Sequence, residues 1–243
     1  MDETNGLIAV TGGSRGIGAA VVERVAASGH DVLIGFREDR DAADSLADRV
    51  REAGCRAAIA RVETTDARSL DDFFEAGEAL GPLCGVVAAA GAVRAVGPLA
   101  DLDPGDIAQD LNVNLLGTVL TARAAIPHLS RTSGSMVLIG SAASTIGSPG
   151  SYVHYAAAKA GVAALTVGLS KELAGAGIRV NCVEPGTIWT DFHQDPQRPA
   201  KVAASIPWGR AGEPREVAAA VAWLLSAEAG YTTGATLRVA GGL

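Results

Sequence analysis

The sequence predicts an open α/β fold: a doubly wound parallel sheet of about seven strands with helices on both faces. Three observations predict it. Short apolar runs alternate with longer stretches of helical period from one end of the chain to the other. The runs are nearly continuous in Val, Ile, Leu and Ala, as strands covered on both faces require. A glycine-rich turn follows the first run and opens a helical segment.

The strands are predicted at Leu7–Val10, Asp31–Phe36, Ala57–Val62, Gly85–Ala89, Ser135–Gly140, Ile178–Val183 and Thr236–Val239. Helices are predicted near Gly16–Ser28, Arg40–Ala53, Arg68–Leu80, Pro104–Leu129, Tyr152–Ala174 and Pro214–Ser226. Strand, helix, strand repeated to the end implies right-handed crossovers. No linker or low-complexity stretch interrupts residues 1–243, which are read as one domain. In such sheets ligands bind beyond the carboxyl ends of the strands, where the strand order reverses. Chemistry is therefore expected just after the first, fourth, fifth and sixth strands.

Composition narrows the classes. The chain has 243 residues, 48% hydrophobic and 19% charged, which excludes a disordered polymer. Its net charge of −7 argues against nucleic acid or anionic membrane as a partner, while leaving room for a local basic pocket. Cys55, Cys84 and Cys182 lie far apart without a CxxC, as reduced thiols of a cytoplasmic protein would. The opening Met-Asp-Glu-Thr-Asn-Gly is acidic and polar, unlike a signal peptide. Apolar stretches are broken well before the roughly 18 residues of a membrane span. His30, His128, His154 and His193 show no metal-ligand spacing, and no metal is expected.

The glycine-rich turn reads Thr11-Gly12-Gly13-Ser14-Arg15-Gly16-Ile17-Gly18. Glycines allow a tight turn and a close backbone approach to a pyrophosphate, and the helix that starts there offers free N–H groups. A dinucleotide with a bare 2′-hydroxyl would want an acid at the end of the second strand. Phe36 stands there instead, followed by Arg37, whose donor fork suits a 2′-phosphate, with Arg15 in reach. NADP(H) is favoured and NAD(H) remains open, because Glu38 or Asp39 offers the alternative acid.

The chain holds only three lysines and three tyrosines, yet Tyr155 and Lys159 sit four apart in one helical segment. A phenol donates protons near neutrality only if its pKa of about 10 falls by roughly 3 units. An adjacent ammonium and a cationic nicotinamide ring would both act in that direction. Ser141 follows the fifth strand, and Asn114 lies within an otherwise apolar helix.

Together these residues resemble the short-chain dehydrogenase/reductase family in its compact, single-domain branch. The resemblance spans the chain and is carried by Thr11-Gly-x-x-x-Gly-x-Gly18, Asn114, Ser141, Tyr155-x-x-x-Lys159, Asn181-x-Val-x-Pro-Gly186 with Thr190, Thr233-Gly234 and Val239-Ala-Gly-Gly242. It is nearest to 3-oxoacyl-carrier-protein reductases and glucose-1-dehydrogenase-like members, and implies a Rossmann-type sheet that binds a dinucleotide. It implies a catalytic set of Asn114, Ser141, Tyr155 and Lys159. Tyr155 would protonate a ketone oxygen held by Ser141, Lys159 would bind the nicotinamide ribose, and Asn114 would carry a relay water. It implies cofactor contacts from Gly12, Ser14, Arg15, Gly16, Ile17, Gly18, Arg37, Ala90, Gly91, Tyr155, Lys159, Pro185, Gly186, Ile188 and Thr190. The implied partner is a small carbonyl or alcohol, with a sugar or polyol dehydrogenase as the alternative and a non-catalytic nucleotide sensor as a remote one, and the implied assembly is a homodimer or homotetramer through the Tyr152–Ala174 helix. Enoyl reductases of the family use a longer Tyr-to-Lys spacing.

This chain departs from the family pattern in three places. Ala88-Ala89-Ala90-Gly91 replaces Asn-Asn-Ala-Gly, the acid common after the third strand near the adenine is shifted or replaced by Glu63-Thr64, and Ala240 replaces a terminal Asp. A lid is expected near residues 190–210, with Trp189, Phe192 and Trp208 as candidate pocket aromatics and Ser148, Ser151 and His154 bordering the substrate.

Overall fold

A computed structural model describes residues 6–243. The acidic opening, residues 1–5, lies outside the described residues, and with it the segment from which the absence of a signal peptide is read. Seven strands, β1 (Leu7–Thr11), β2 (Asp31–Phe36), β3 (Ala57–Arg61), β4 (Leu83–Ala88), β5 (Ser135–Ile139), β6 (Arg179–Pro185) and β7 (Thr236–Val239), form one sheet. Its order is β3-β2-β1-β4-β5-β6-β7, and every adjacent pair is parallel. The order reverses between β1 and β4, so the cleft opens beyond their carboxyl ends.

Among the described residues there are nine α-helices, α1 (Gly16–Ala26), α2 (Arg40–Glu52), α3 (Ala67–Gly77), α4 (Pro104–Leu111), α5 (Gly117–Leu129), α6 (Ala143–Ile146), α7 (Val153–Glu172), α8 (Arg198–Val202) and α9 (Pro214–Leu225), the longer of which cover the faces. Strand side chains alternate between the two faces. Ile8 and Val10 of β1 join Val22, Leu46 and Val221 from α1, α2 and α9. Leu7 and Ala9 join Phe73, Leu129 and Val162 from α3, α5 and α7. Both layers are dry, which is why the strands read as unbroken apolar runs.

Local chemistry sets the helix starts. Asp39, Asp66 and Asp103 accept backbone N–H groups at the heads of α2, α3 and α4. Pro104 and Pro214 take first-turn positions, where a missing N–H does no harm. At the other end of the sheet, Asp31 accepts the backbone N–H of Arg56 at 2.6 Å and its guanidinium at 2.7 Å, tying β2 to the start of β3.

Two elements differ from expectation. The helix predicted across Pro104–Leu129 is divided into α4 and α5 by a π-helical turn at Asn112–Leu116, which periodicity alone does not reveal. Strand β6 extends to Pro185, which pairs with Val239 of β7 and accepts the backbone N–H of Ala142 through its carbonyl. The short helices α6 and α8 flank the cleft where loops were expected.

Candidate active site

The glycine turn is built by contacts that admit no side chain. A Cβ on Gly18 would stand 2.1 Å from the carbonyl oxygen of Gly12, and one on Gly12 would stand 2.8 Å from the Ala90 backbone. Gly12 and Gly16 also adopt left-handed conformations, with φ of 65° and 56°. Arg15 is extended at the head of α1 and gives no side-chain cap, so the first N–H groups of the helix face the cleft. A Cβ on Gly16 would touch the Thr190 methyl at 3.3 Å, so the loop after β6 closes over the same turn.

These segments line one cavity of about 610 Å³. Gly12, Ser14, Arg15, Gly16, Ile17, Gly18, Arg37, Ala90, Gly91, Ser141, Tyr155, Lys159, Pro185, Gly186, Ile188 and Thr190 all border it. Its floor of close-approach glycines and a helix N-terminus fits a pyrophosphate. Two of the candidate acids are already engaged: Glu38 accepts both Nε and a terminal nitrogen of Arg37, at 3.0 and 2.6 Å, and Asp39 caps α2. Arg61 donates to the Arg37 carbonyl at 3.1 Å, a support the sequence reading does not include.

Asn114 does not line the cavity. It is wholly buried within the π-helical turn, behind Gly91. Its amide donates to the carbonyls of Ala92 at 2.6 Å and Asp110 at 2.8 Å, bracing the loop after β4. Its Oδ1 has no protein partner and lies 2.9 Å from where a Gly91 Cβ would be, with the Lys159 ammonium 3.8 Å from the same point. A buried acceptor of this kind calls for a donor such as a water or a cofactor hydroxyl. Thr11 Oγ1, facing Ala88 across the β1–β4 pair, is likewise buried without a partner. The alanines that replace the family's asparagines offer it none.

Ser141 follows β5, and its Oγ accepts the backbone N–H of Ala143 at 3.2 Å. Tyr155 and Lys159 lie on one face of α7, with Nζ 5.7 Å from the Tyr155 ring centroid. Lys159 donates to the Ile139 carbonyl at 2.8 Å. Burial lowers its pKa from 10.5 to about 8. Burial raises the Tyr155 phenol above its ordinary value, with Ser141 acting in the opposite direction and Tyr152 and Asp110 adding to the rise. The depressed phenol expected from the Tyr–Lys spacing is thus not a property of the protein groups alone, because desolvation outweighs the hydrogen bond with Ser141.

Other expectations need correcting. His154 does not border the cavity. Its Nε2 lies 2.9 Å from Asp110 Oδ2, with both side chains almost fully buried. Asp110 also accepts the backbone N–H groups of Arg94 at 2.9 Å and Ala95 at 3.1 Å. It thereby ties the loop after β4 to α7, and no motif in the sequence singles it out. Of the three candidate pocket aromatics only Phe192 borders the cavity, 5.8 Å from the Tyr155 ring. Trp189 and Trp208 are 40% and 73% exposed and border nothing there. Ser148 lines the cavity in a left-handed conformation, with φ of 47°.

The family model described as enoyl-(acyl carrier protein) reductase matches residues 12–243. The uncharacterized oxidoreductase YgfF of Escherichia coli (strain K12) is 37% identical over 241 residues, 96% of this chain and 98% of that protein. The 3-oxoacyl-[acyl-carrier-protein] reductase FabG of Aggregatibacter actinomycetemcomitans is 36% identical over the full length of both chains. A solved short-chain dehydrogenase/reductase variant from Serratia marcescens superposes with a TM-score of 0.91 at 30% identity, covering 98% of this chain and 97% of that one.

Two stability measurements check this geometry by chemical denaturation. Asp110→Ala leaves the backbone N–H groups of Arg94 and Ala95, the second of them buried, and His154 without their acceptor, and a loss of about 3–5 kcal/mol is expected; a loss below 1 kcal/mol would show that the carboxylate is dispensable. For Lys159 the unfolded chain keeps its proton up to about 10.5, while the folded group releases it near 8. Between those values the unfolded state binds more protons, so this group makes the folded protein more stable as pH rises. Lys159→Met is therefore expected to be more stable than the wild type at pH 7, by about 3 kcal/mol, with the gap closing towards pH 10.5.

Proposed function

Because the chain belongs to the short-chain dehydrogenase/reductase family and is an NAD(P)-dependent oxidoreductase, we propose that it reduces a ketone to a secondary alcohol with NADP(H), in the manner of the 3-oxoacyl reductases, through Tyr155, Lys159, Ser141 and Asn114. The observation that carries this reading is the convergence of Ser141, Tyr155 and Lys159 on the cavity that also holds the glycine turn.

The bound nicotinamide supplies the hydride and, when oxidised, a positive charge. The rest of the mechanism belongs to the chain. Ser141 donates to the substrate oxygen and fixes it beside Tyr155. The Tyr155 hydroxyl gives its proton to that oxygen as negative charge develops there. Lys159, held by the Ile139 carbonyl, keeps its ammonium against the Tyr155 ring and favours the phenolate that remains. Its near-neutral pKa also suits it to pass a proton onward to Tyr155. Asn114 Oδ1, buried and unpartnered beside Lys159, is the natural acceptor for a water that refills the relay. The raised pKa of Tyr155 keeps the phenol protonated, the state reduction needs at its outset.

The preference for NADP(H) rests on Arg37 and Arg15 at the cavity rim, together with the engagement of Glu38 and Asp39. An unpaired acid there would repel a 2′-phosphate. Residues 190–210 form the lid, and the exposed small face of α7, with Ala160, Ala164 and Gly168, fits a dimer or tetramer of a cytoplasmic enzyme.

The test follows nicotinamide absorbance with a small ketone panel. Tyr155→Phe is expected to lose at least 100-fold in kcat while binding NADPH normally; unaltered kcat would refute the proton-transfer role. Arg37→Ala is expected to raise KM for NADPH by roughly 10-fold or more and to leave NADH within about 2-fold. Equal losses with both cofactors would remove the phosphate assignment.

A further inference from the structure

We infer that Arg198 is the receptor for a carboxylate on the substrate, so that the enzyme acts on an oxo acid or the corresponding hydroxy acid. The inference rests on the reading of the cavity as the redox site and adds the substrate class to it.

Arg198 opens α8 in the lid and borders the same cavity as Ser141 and Tyr155. It lies against Tyr152, with a terminal nitrogen donating to the phenol oxygen at 2.9 Å and the guanidinium carbon 5.4 Å from the ring centroid. Tyr152 in turn meets the Tyr155 ring edge-on at 5.4 Å between centroids. Two such steps separate the guanidinium from the proposed acid, so a group held by Arg198 belongs to the same small molecule as a carbonyl at Tyr155.

Among the described residues, Arg198 has no carboxylate within ion-pair distance. Asp195, the acid nearest to it in sequence, is taken by Lys201 at 2.6 Å and by the backbone N–H of Gln197. Of its five donors, Arg198 commits one to Tyr152, and its Nε is buried with no partner. A guanidinium partly removed from water without an anion is unfavourable unless a ligand completes it. A contact that merely held the lid to Tyr152 would need only a neutral donor.

The anion is better a carboxylate than a phosphate. The other cations lining the cavity are Arg15 and Arg37 at the nucleotide end and Lys159 beneath the reacting oxygen. The lid's other lining residues include Phe192, Val202 and Ile206, and its other ionisable lining groups are His193 and Asp191. One guanidinium matches one two-oxygen fork, whereas a dianion would seek a second cation that this end lacks. A 3-oxoacyl thioester, neutral beside its ketone, would leave Arg198 unpaired.

The experiment compares linear 2-, 3- and 4-oxo acids with their methyl esters, using the full chain at saturating NADPH. For the preferred acid, wild-type kcat/KM is expected to exceed that of its ester by at least about 30-fold. Arg198→Met should lower kcat/KM for the acid about 100-fold, mainly through KM. The ester should stay within about 3-fold and KM for NADPH should not move, while Arg198→Lys recovers part of the loss. Esters used as well as acids by the wild type, or acid and ester falling together in Arg198→Met, would overturn the inference. Thermal unfolding of the NADP⁺-loaded enzyme separates the two readings. An acid-specific upshift that Arg198→Met abolishes supports the carboxylate site even where no compound is reduced, an outcome that would remove only the redox reading. No difference between acid and ester in that assay counts against the site.

Discussion

Where the strand order turns back between β1 and β4, two backbones approach more closely than any side chain permits. Gly18 against the Gly12 carbonyl and Gly12 against the Ala90 backbone are two views of that constraint. It pulls the head of α1 down onto the sheet, leaves its N–H groups free, and sets the depth of the cleft. Thr190, packed on Gly16, and Gly186, packed on Ala240, close the same space from the β6 side. The lid and the α7 residues take their positions around a floor that is almost entirely main chain.

Above that floor the cleft wall is organised by charges that water would otherwise solvate. Lys159 is held by one carbonyl and lies in a site that favours its neutral form. Asp110 gathers two N–H groups and a histidine, and its own carbonyl receives the Asn114 amide. Ser144 and Arg238 clamp Glu184 at 2.5 and 2.8 Å beneath the Ser141 loop, joining α6 to β6 and β7. Each arrangement fixes a loop by leaving it one satisfied geometry.

The sheet was legible because its strands are buried on both faces, so composition and period point the same way. The glycine turn was legible because close approach has a residue-level signature. Tyr155 and Lys159 stood out through spacing and through the scarcity of both residue types. Asp110, Arg61 and Arg198 did not, because each acts on a partner tens of residues away, and nothing in local periodicity marks such a pair. The state of Tyr155 escaped for a different reason. Its pKa depends on desolvation by the whole surrounding core, which a four-residue spacing cannot measure. Trp189 and Trp208 misled because position in sequence near a lid does not fix the direction of a side chain.

The π-helical turn at Asn112–Leu116 has a geometric consequence for the segment that carries it. It places one extra residue in a single turn and so advances everything after it by about 100° around the axis. The side chains of α4 and α5 are thereby out of phase. Asp110 meets the loop after β4 and His154 on one side of the break, while Ala122, Ala125 and Leu129 meet the apolar core on the other. An uninterrupted helix of the same composition would have to aim both sets by one angle. The turn acts as a phase shifter, letting one continuous rod serve two environments whose directions do not coincide.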